Sequence, residues 1–452
     1  MKTKRILYVI TFLILAVLAG GSLYFNSLIP IITGYAAKNL CSDVFISGRQ
    51  QKDVEALDLN FSFIKYAKNS VDFSDKSVTS RLLWGKSEAI YRDGFGATLL
   101  RDETEKELRK RTFPLNAIGK IFQDTIAWPL GNVTSDTVTG IDRQALGKVT
   151  ENLIEKDAYN GNAFAFMVLY KGQPVAEAYK PEFNSRTRFT SWSMAKSFTN
   201  ALVGILVREG RIDINKPADI PEWKNDDRSK ITLNDLMQMQ SGLRWNEDYG
   251  TKSDVTLMLH REGDMSRYAF DMPLEYPAGT HWYYSSGTTN IVNKIIRREF
   301  DTDSAYYSFA YKELFNRIGT PDAVFESDAT GTFVGSSYLY ATARDFARFG
   351  LLFLNDGVFN GERILPEGWV TYSRTPASDS KGGYGSFFWL NRAKALPSAP
   401  EDMYMCVGHD GQRIFILPSQ QMVVVVLGYS PTAKGGMDFD KLLKDILSTL
   451  RN

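Results

Sequence analysis

From Ile6 to Ala37 the chain carries no charge, and its first part, "ILYVITFLILAVLAGGSLYF", is about long enough to cross a bilayer as a helix. Lys2, Lys4 and Arg5 precede it, which predicts a cytoplasmic N-terminus and export of the rest to the periplasm or outside. Ala19, Gly20 and Gly21 offer a cleavage site for a secreted form. The apolar pattern nevertheless continues through Leu28, Ile29, Ile31 and Ile32, which suits an uncleaved anchor better than a cleaved signal. Residues 1–37 are therefore expected to form a membrane anchor or signal segment, the membrane being a partner through this helix.

The pattern changes after it. Residues 38–140 read as a strand-rich extension: "EALDLNFSFIKYA" alternates, "DGFGATLL" carries turn glycines, and "RDETEKELRKRT" predicts a solvated helix face or loop. Residues 141–452 have a mixed texture. "AFAFMVLYKGQPVAEAYK" predicts a hairpin turning at Lys171-Gly172-Gln173. "TARDFARFGLLFLNDG" predicts a helix capped by Thr342 and Asp345, with Phe346, Phe349 and Phe353 on one face. "RIFILPSQQMVVVVLG" predicts two buried strands around Pro418. Finally, "FDKLLKDILSTL" spaces Phe439, Leu442, Leu443, Ile446 and Leu450 as a helix. The expected class is α+β: an antiparallel sheet flanked by helices, a mainly helical region between residues 200 and 370, and a transmembrane helix in front.

With 44% hydrophobic residues the chain can bury a sizeable core. Its net charge of +1 gives no basic footprint, which excludes a nucleic-acid binder. Two cysteines, Cys41 and Cys406, leave a disulfide and two separate thiols equally open, and no zinc spacing occurs.

The chemistry concentrates in "SWSMAKSFTNALVGILV", residues 191–207. From Phe198 onward nearly every residue is apolar or small, the mark of a helix buried on all sides. Lys196 at its mouth needs a partner, and Ser193, three residues earlier, shares its face. Burial lowers a lysine's pKa by disfavouring the charged form, so a neutral amine can take the serine's proton. Free N–H groups at the helix start can hold a developing oxyanion. Other Ser-x-x-Lys pairs occur at Ser62…Lys65 and Ser378…Lys381, but neither opens a buried helix.

Two more stretches join it: "HWYYSSGTTN" and "GHDGQRIFILP". With these, the chain resembles the serine β-lactamase and penicillin-binding protein superfamily, in its class C-like branch. That branch includes D-Ala-D-Ala carboxypeptidases, family VIII esterases and 6-aminohexanoate-dimer hydrolases. The resemblance covers roughly residues 145–450 through Ser193-x-x-Lys196, Tyr284-Ser285-Ser286 and His409-Asp410-Gly411. It implies Ser193 as nucleophile, Lys196 as proton acceptor or relay, and Tyr284 as acid or base. The same resemblance puts the backbone N–H groups of Ser193 and Gln412 in the oxyanion hole. Ser286, His409, Asp410, Gly411 and the loop residue Tyr249 would line the substrate, with no metal or cofactor. A nearby lysine would favour the Tyr284 phenolate.

Two departures matter. Ser286 stands where the second motif has Asn, and Asp410 where the third has a hydroxyl that helps hold a substrate carboxylate. The expected substrate is thus a small or peptide-like amide or ester lacking that carboxylate. D-Ala-D-Ala carboxypeptidase or β-lactamase activity, or a non-catalytic envelope protein binding in the same pocket, are the alternatives. No G-x-S-x-G, H-E-x-x-H, Walker A or dinucleotide fingerprint occurs.

Overall fold

The computed structural model describes residues 2–119, 123–135 and 138–451. Helix α1 (Lys2–Phe45) changes its surroundings along its length. Toward its start the described side chains face outward, with Phe12 70%, Val17 73% and Leu23 73% exposed. From Ile29 the same helix is core. Ala36, Leu40 and Val44 pack against Val78, Ala89 and Ala97 of an antiparallel meander, β1 (Lys68–Asp72), β2 (Ser77–Leu82), β3 (Gly85–Arg92) and β4 (Gly96–Leu99).

The expected boundary after residue 37 therefore falls inside one helix. By length and composition, the exposed stretch fits a membrane span or a signal sequence. Ile29 and Ile32 are apolar for another reason: they meet protein, at 2% and 6% exposure. The expected strand at "EALDLNFSFIKYA" is also corrected. It forms a helix over Gln51–Leu57 and a 3-10 turn over Ile64–Tyr66. Its apolar residues cover α1 rather than one face of a sheet: Phe61 packs edge-on to Tyr35 at 5.4 Å, and Phe63 edge-on to Phe25 at 5.7 Å. The charge run contains a short helix, Glu105–Lys110, closed by a Thr104/Glu107 capping box.

A buried ion pair ties this region to the rest. Lys38 Nζ lies 2.6 Å from Glu326, with side chains 3% and 0% exposed. The Ser42 hydroxyl and the Ala97 N–H also donate to that carboxylate.

The larger part contains α2 (Arg143–Ile154), β5 (Ala163–Tyr170), β6 (Gln173–Tyr179), α3 (Ala195–Arg208), α4 (Asp254–Arg261), α5 (Ser286–Arg298) and α6 (Ala343–Leu354). It ends with β7 (Trp389–Leu390), β8 (Tyr404–Val407), β9 (Arg413–Leu417), β10 (Met422–Gly428) and α7 (Phe439–Leu447). The sheet is antiparallel in the order β7-β8-β9-β10-β5-β6, so the first and last segments supply it, as expected. Strand alternation separates two cores. Met422, Val424 and Val426 of β10 pack with Leu442 and Leu443 of α7. Val423, Val425 and Leu427 face the larger core with Phe198 and Phe346.

Lys171 and Gly172, at φ 50 and 76, make the hairpin a two-residue turn, and Gln173 already belongs to β6. Thr342 and Asp345 cap α6, whose Phe346, Phe349 and Phe353 are buried. Leu450 lies beyond α7 and bridges to Ile141. Cys41 and Cys406 are separate buried thiols.

Candidate active site

The turn before α3 is built under strain. Ser191 anchors it through an N–H donated to the Leu339 carbonyl at 2.7 Å. Trp192 then adopts φ 45, a costly conformation for a bulky residue, and begins one 3-10 turn over Trp192–Met194. Aromatic contacts hold it there: Tyr35 stacks on the indole at 6.4 Å and His409 meets it edge-on at 5.5 Å. From Ser191 to Leu206 every residue is buried except Ser193, which lines a cavity.

Lys196 points to the same place from inside the core. It is 1% exposed, and its Nζ lies 3.0 Å from Ser193 Oγ, 3.0 Å from Ser286 Oγ and 2.9 Å from the Ser336 carbonyl oxygen. Burial lowers its pKa to about 8, opposed by attraction from Glu247. The sequence reading missed Glu247. Its carboxylate accepts from the Ser286 hydroxyl, the Ser286 N–H at 2.9 Å and the Trp245 indole N–H. Ser286, at the start of α5, thereby connects the ammonium to an acid. "RWNEDYG" contained this signal two residues before Tyr249, but the partnership with Ser286 is not a local one.

Tyr284 flanks the lysine, whose Nζ sits 4.7 Å from the ring centroid. Tyr284 lines the same cavity as Ser193. The phenol's pKa is raised, first by burial and then by Tyr384 and Glu247. This corrects the expectation of a favoured phenolate: the cation lies over the ring face, and the resting group is a neutral phenol.

The third motif is a turn rather than a straight strand start. His409–Gly411 forms one 3-10 turn in which Asp410 has φ 54 and Gly411 φ 97, and β9 begins at Arg413. A Cβ on Gly408 would lie 2.2 Å from the Ser191 carbonyl oxygen, so only glycine lets this turn approach the Trp192–Met194 turn. The Gln412 side chain clamps the Gly428 backbone, donating to its carbonyl at 2.6 Å and accepting its N–H at 3.1 Å. Among the described residues, the Ser193 and Gln412 N–H groups donate to no backbone acceptor. His409 stacks on Tyr249 at 4.8 Å and contacts Asp410 at 3.3 Å. Burial raises the Asp410 carboxyl, with His409 opposing.

Together these groups line a cavity of about 370 Å³ whose wall includes Ser193, Glu247, Tyr249, Tyr284, His409 and Arg413. Arg413, also missed from sequence, donates to the Gly408 and Gln412 carbonyls and brings a positive charge to that wall. His260 is a buried packing residue, and the half-exposed His281 contacts Asp379 at 3.2 Å.

The Beta-lactamase family model matches residues 149–444. The chain belongs to the Beta-lactamase family. A 6-aminohexanoate-dimer hydrolase from Paenarthrobacter ureafaciens is 28% identical over 292 residues, covering 59% of this chain and 72% of that protein. A solved structure from Bacillus anthracis, provisionally described as a 6-aminohexanoate-dimer hydrolase, is 26% identical with TM-score 0.57, covering 66% and 82% of the two chains. A penicillin-binding protein homologue from Caulobacter crescentus, 15% identical, shares the fold at TM-score 0.53 over 69% of this chain and 99% of its own. These likenesses set the chain beside proteins of the β-lactamase fold, among them a 6-aminohexanoate-dimer hydrolase.

Proposed function

We propose that the protein is a serine hydrolase that cleaves an amide or ester through an acyl-enzyme on Ser193. The observation carrying this reading is the buried Lys196 amine, with a pKa of about 8, 3.0 Å from Ser193 Oγ. In its neutral form Lys196 takes the hydroxyl proton as Oγ attacks the substrate carbonyl. The Ser193 and Gln412 N–H groups receive the oxyanion. The Tyr284 phenol gives its proton to the departing amine or alcohol, and the proton held by Lys196 makes good that loss. Water then attacks the acyl-enzyme by the reverse sequence. Ser286 and Glu247 position the lysine.

Asp410 disfavours a substrate carboxylate, whereas Arg413 on the same wall favours one. Paired substrates with and without a terminal carboxylate decide between them. The exposed apolar stretch of α1, behind Lys2, Lys4 and Arg5, anchors the protein with this domain facing the periplasm or outside. The test is a panel of short esters, linear amides, D-Ala-D-Ala peptides and β-lactams. Turnover of a short ester or linear amide, lost by a factor of about 10³ or more in Ser193→Ala, supports the reading. Equal turnover by both proteins would falsify it.

A further inference from the structure

Beside the catalytic cavity lies a second one of about 320 Å³, a size that accepts a small ligand. Helix α1 forms one wall with Tyr24, Leu28, Ile31 and Tyr35, which recur on one helical face. Phe61 and Phe63 stand on another side. Its polar lining includes His260, which burial keeps as a neutral ring with neither nitrogen hydrogen-bonded among the described residues, and Lys252, whose ammonium donates to the Ser27 hydroxyl at 3.0 Å. Tyr249 and His409 line both cavities, so their common wall is this stacked pair of rings. Among the described residues, no well-aligned hydrogen bond holds the Tyr249 hydroxyl.

We infer that this cavity receives an alkyl chain of the substrate, and that the enzyme acts on long-chain amides or esters drawn from the bilayer in which α1 is anchored. This rests on the reading of Ser193 as nucleophile. The helix that exposes Val17 and Leu23 reaches the cavity wall within about one turn, at Tyr24 and Leu28. A chain following it leaves hydrocarbon and enters protein without crossing water. The volume holds about ten water-sized groups, hence a chain of roughly ten carbons.

The test uses full-length protein in phosphatidylcholine vesicles with p-nitrophenyl esters from acetate to myristate. kcat/KM should rise about two- to fourfold per methylene up to roughly decanoate and then level off. Leu28→Trp and Ile31→Trp should erase that gain while leaving acetate within about twofold of wild type. If either fails to fold, Leu28→Ala carries the test by moving the optimum to a longer chain. Decanoate should turn over faster in vesicles than dispersed in buffer; equal rates overturn the bilayer source. A flat chain-length profile, or an unchanged profile in the folded variants, overturns the inference. An enzyme inactive on acetate contradicts the Ser193 chemistry instead. Binding of dansyl-undecanoate to Ser193→Ala, lost when Leu28→Trp is added, then reads the cavity independently of turnover; no binding overturns it.

Discussion

The family match begins at residue 149, and the structure before it follows different rules. In the larger part, elements announce themselves: the β10 run "MVVVVLG" is buried on both faces, and α6 carries its own cap. Between Glu55 and Ala67 local pattern misleads, because the apolar residues there cover helix α1 instead of forming a strand, whereas β1–β4 follow as the strand-rich texture suggests. The two regions still share one interior. Lys38 closes on Glu326 and lies 3.9 Å from the Tyr338 ring centroid, and Tyr35 braces Trp192 beside Ser193, the proposed nucleophile. A segment outside the family core thus supports the turn that the chemistry needs.

Substitutions can break or sharpen this contrast. Lys196→Ala removes the proposed proton acceptor and should lower kcat on a short ester by about 10³-fold, with the extension untouched, as measured by steady-state kinetics. Lys38→Met strands the Glu326 carboxylate in a dry interior and should cost about 3–5 kcal/mol. Calorimetry should then show the entire transition moving. A shift confined to a minor, separate transition would mean the extension folds apart from the hydrolase.

Glu247→Gln should reduce kcat by about tenfold, and it also tests the electrostatics. On the proposed mechanism the lysine acts as a neutral amine, so kcat/KM should climb as pH rises and level off above about pH 8. Glu247 holds the ammonium form up, so its removal should move that rise to lower pH. An unmoved profile would leave Glu247 with a packing role only. The smallest effect is expected from Val17→Asn combined with Leu23→Ser. Hydrolysis of a soluble ester should change by less than about twofold while membrane recovery falls.

Ser193 and Lys196 were legible because one turn of helix brings them together and the apolar run beyond reveals burial. Tyr284 and the His409–Gln412 stretch were legible as motifs, though not the left-handed turn at Asp410. Glu247, Ser336 and Arg413 were missed. Ser336 reaches Lys196 across 140 positions and Glu247 reaches Ser286 across 39, pairings set by packing rather than by local periodicity. Helix α1 was half legible: its charge-free run signals hydrocarbon and protein core alike, and only the sheet built by β2–β4 shows where one gives way to the other.

The central claim is tested most directly by intact-mass analysis after exposure to a fluorophosphonate. Wild type should gain a single adduct that maps to Ser193, forming faster as pH rises through about 8, the pKa of Lys196. Full labelling of Ser193→Ala, or an adduct elsewhere at the same rate, would contradict it.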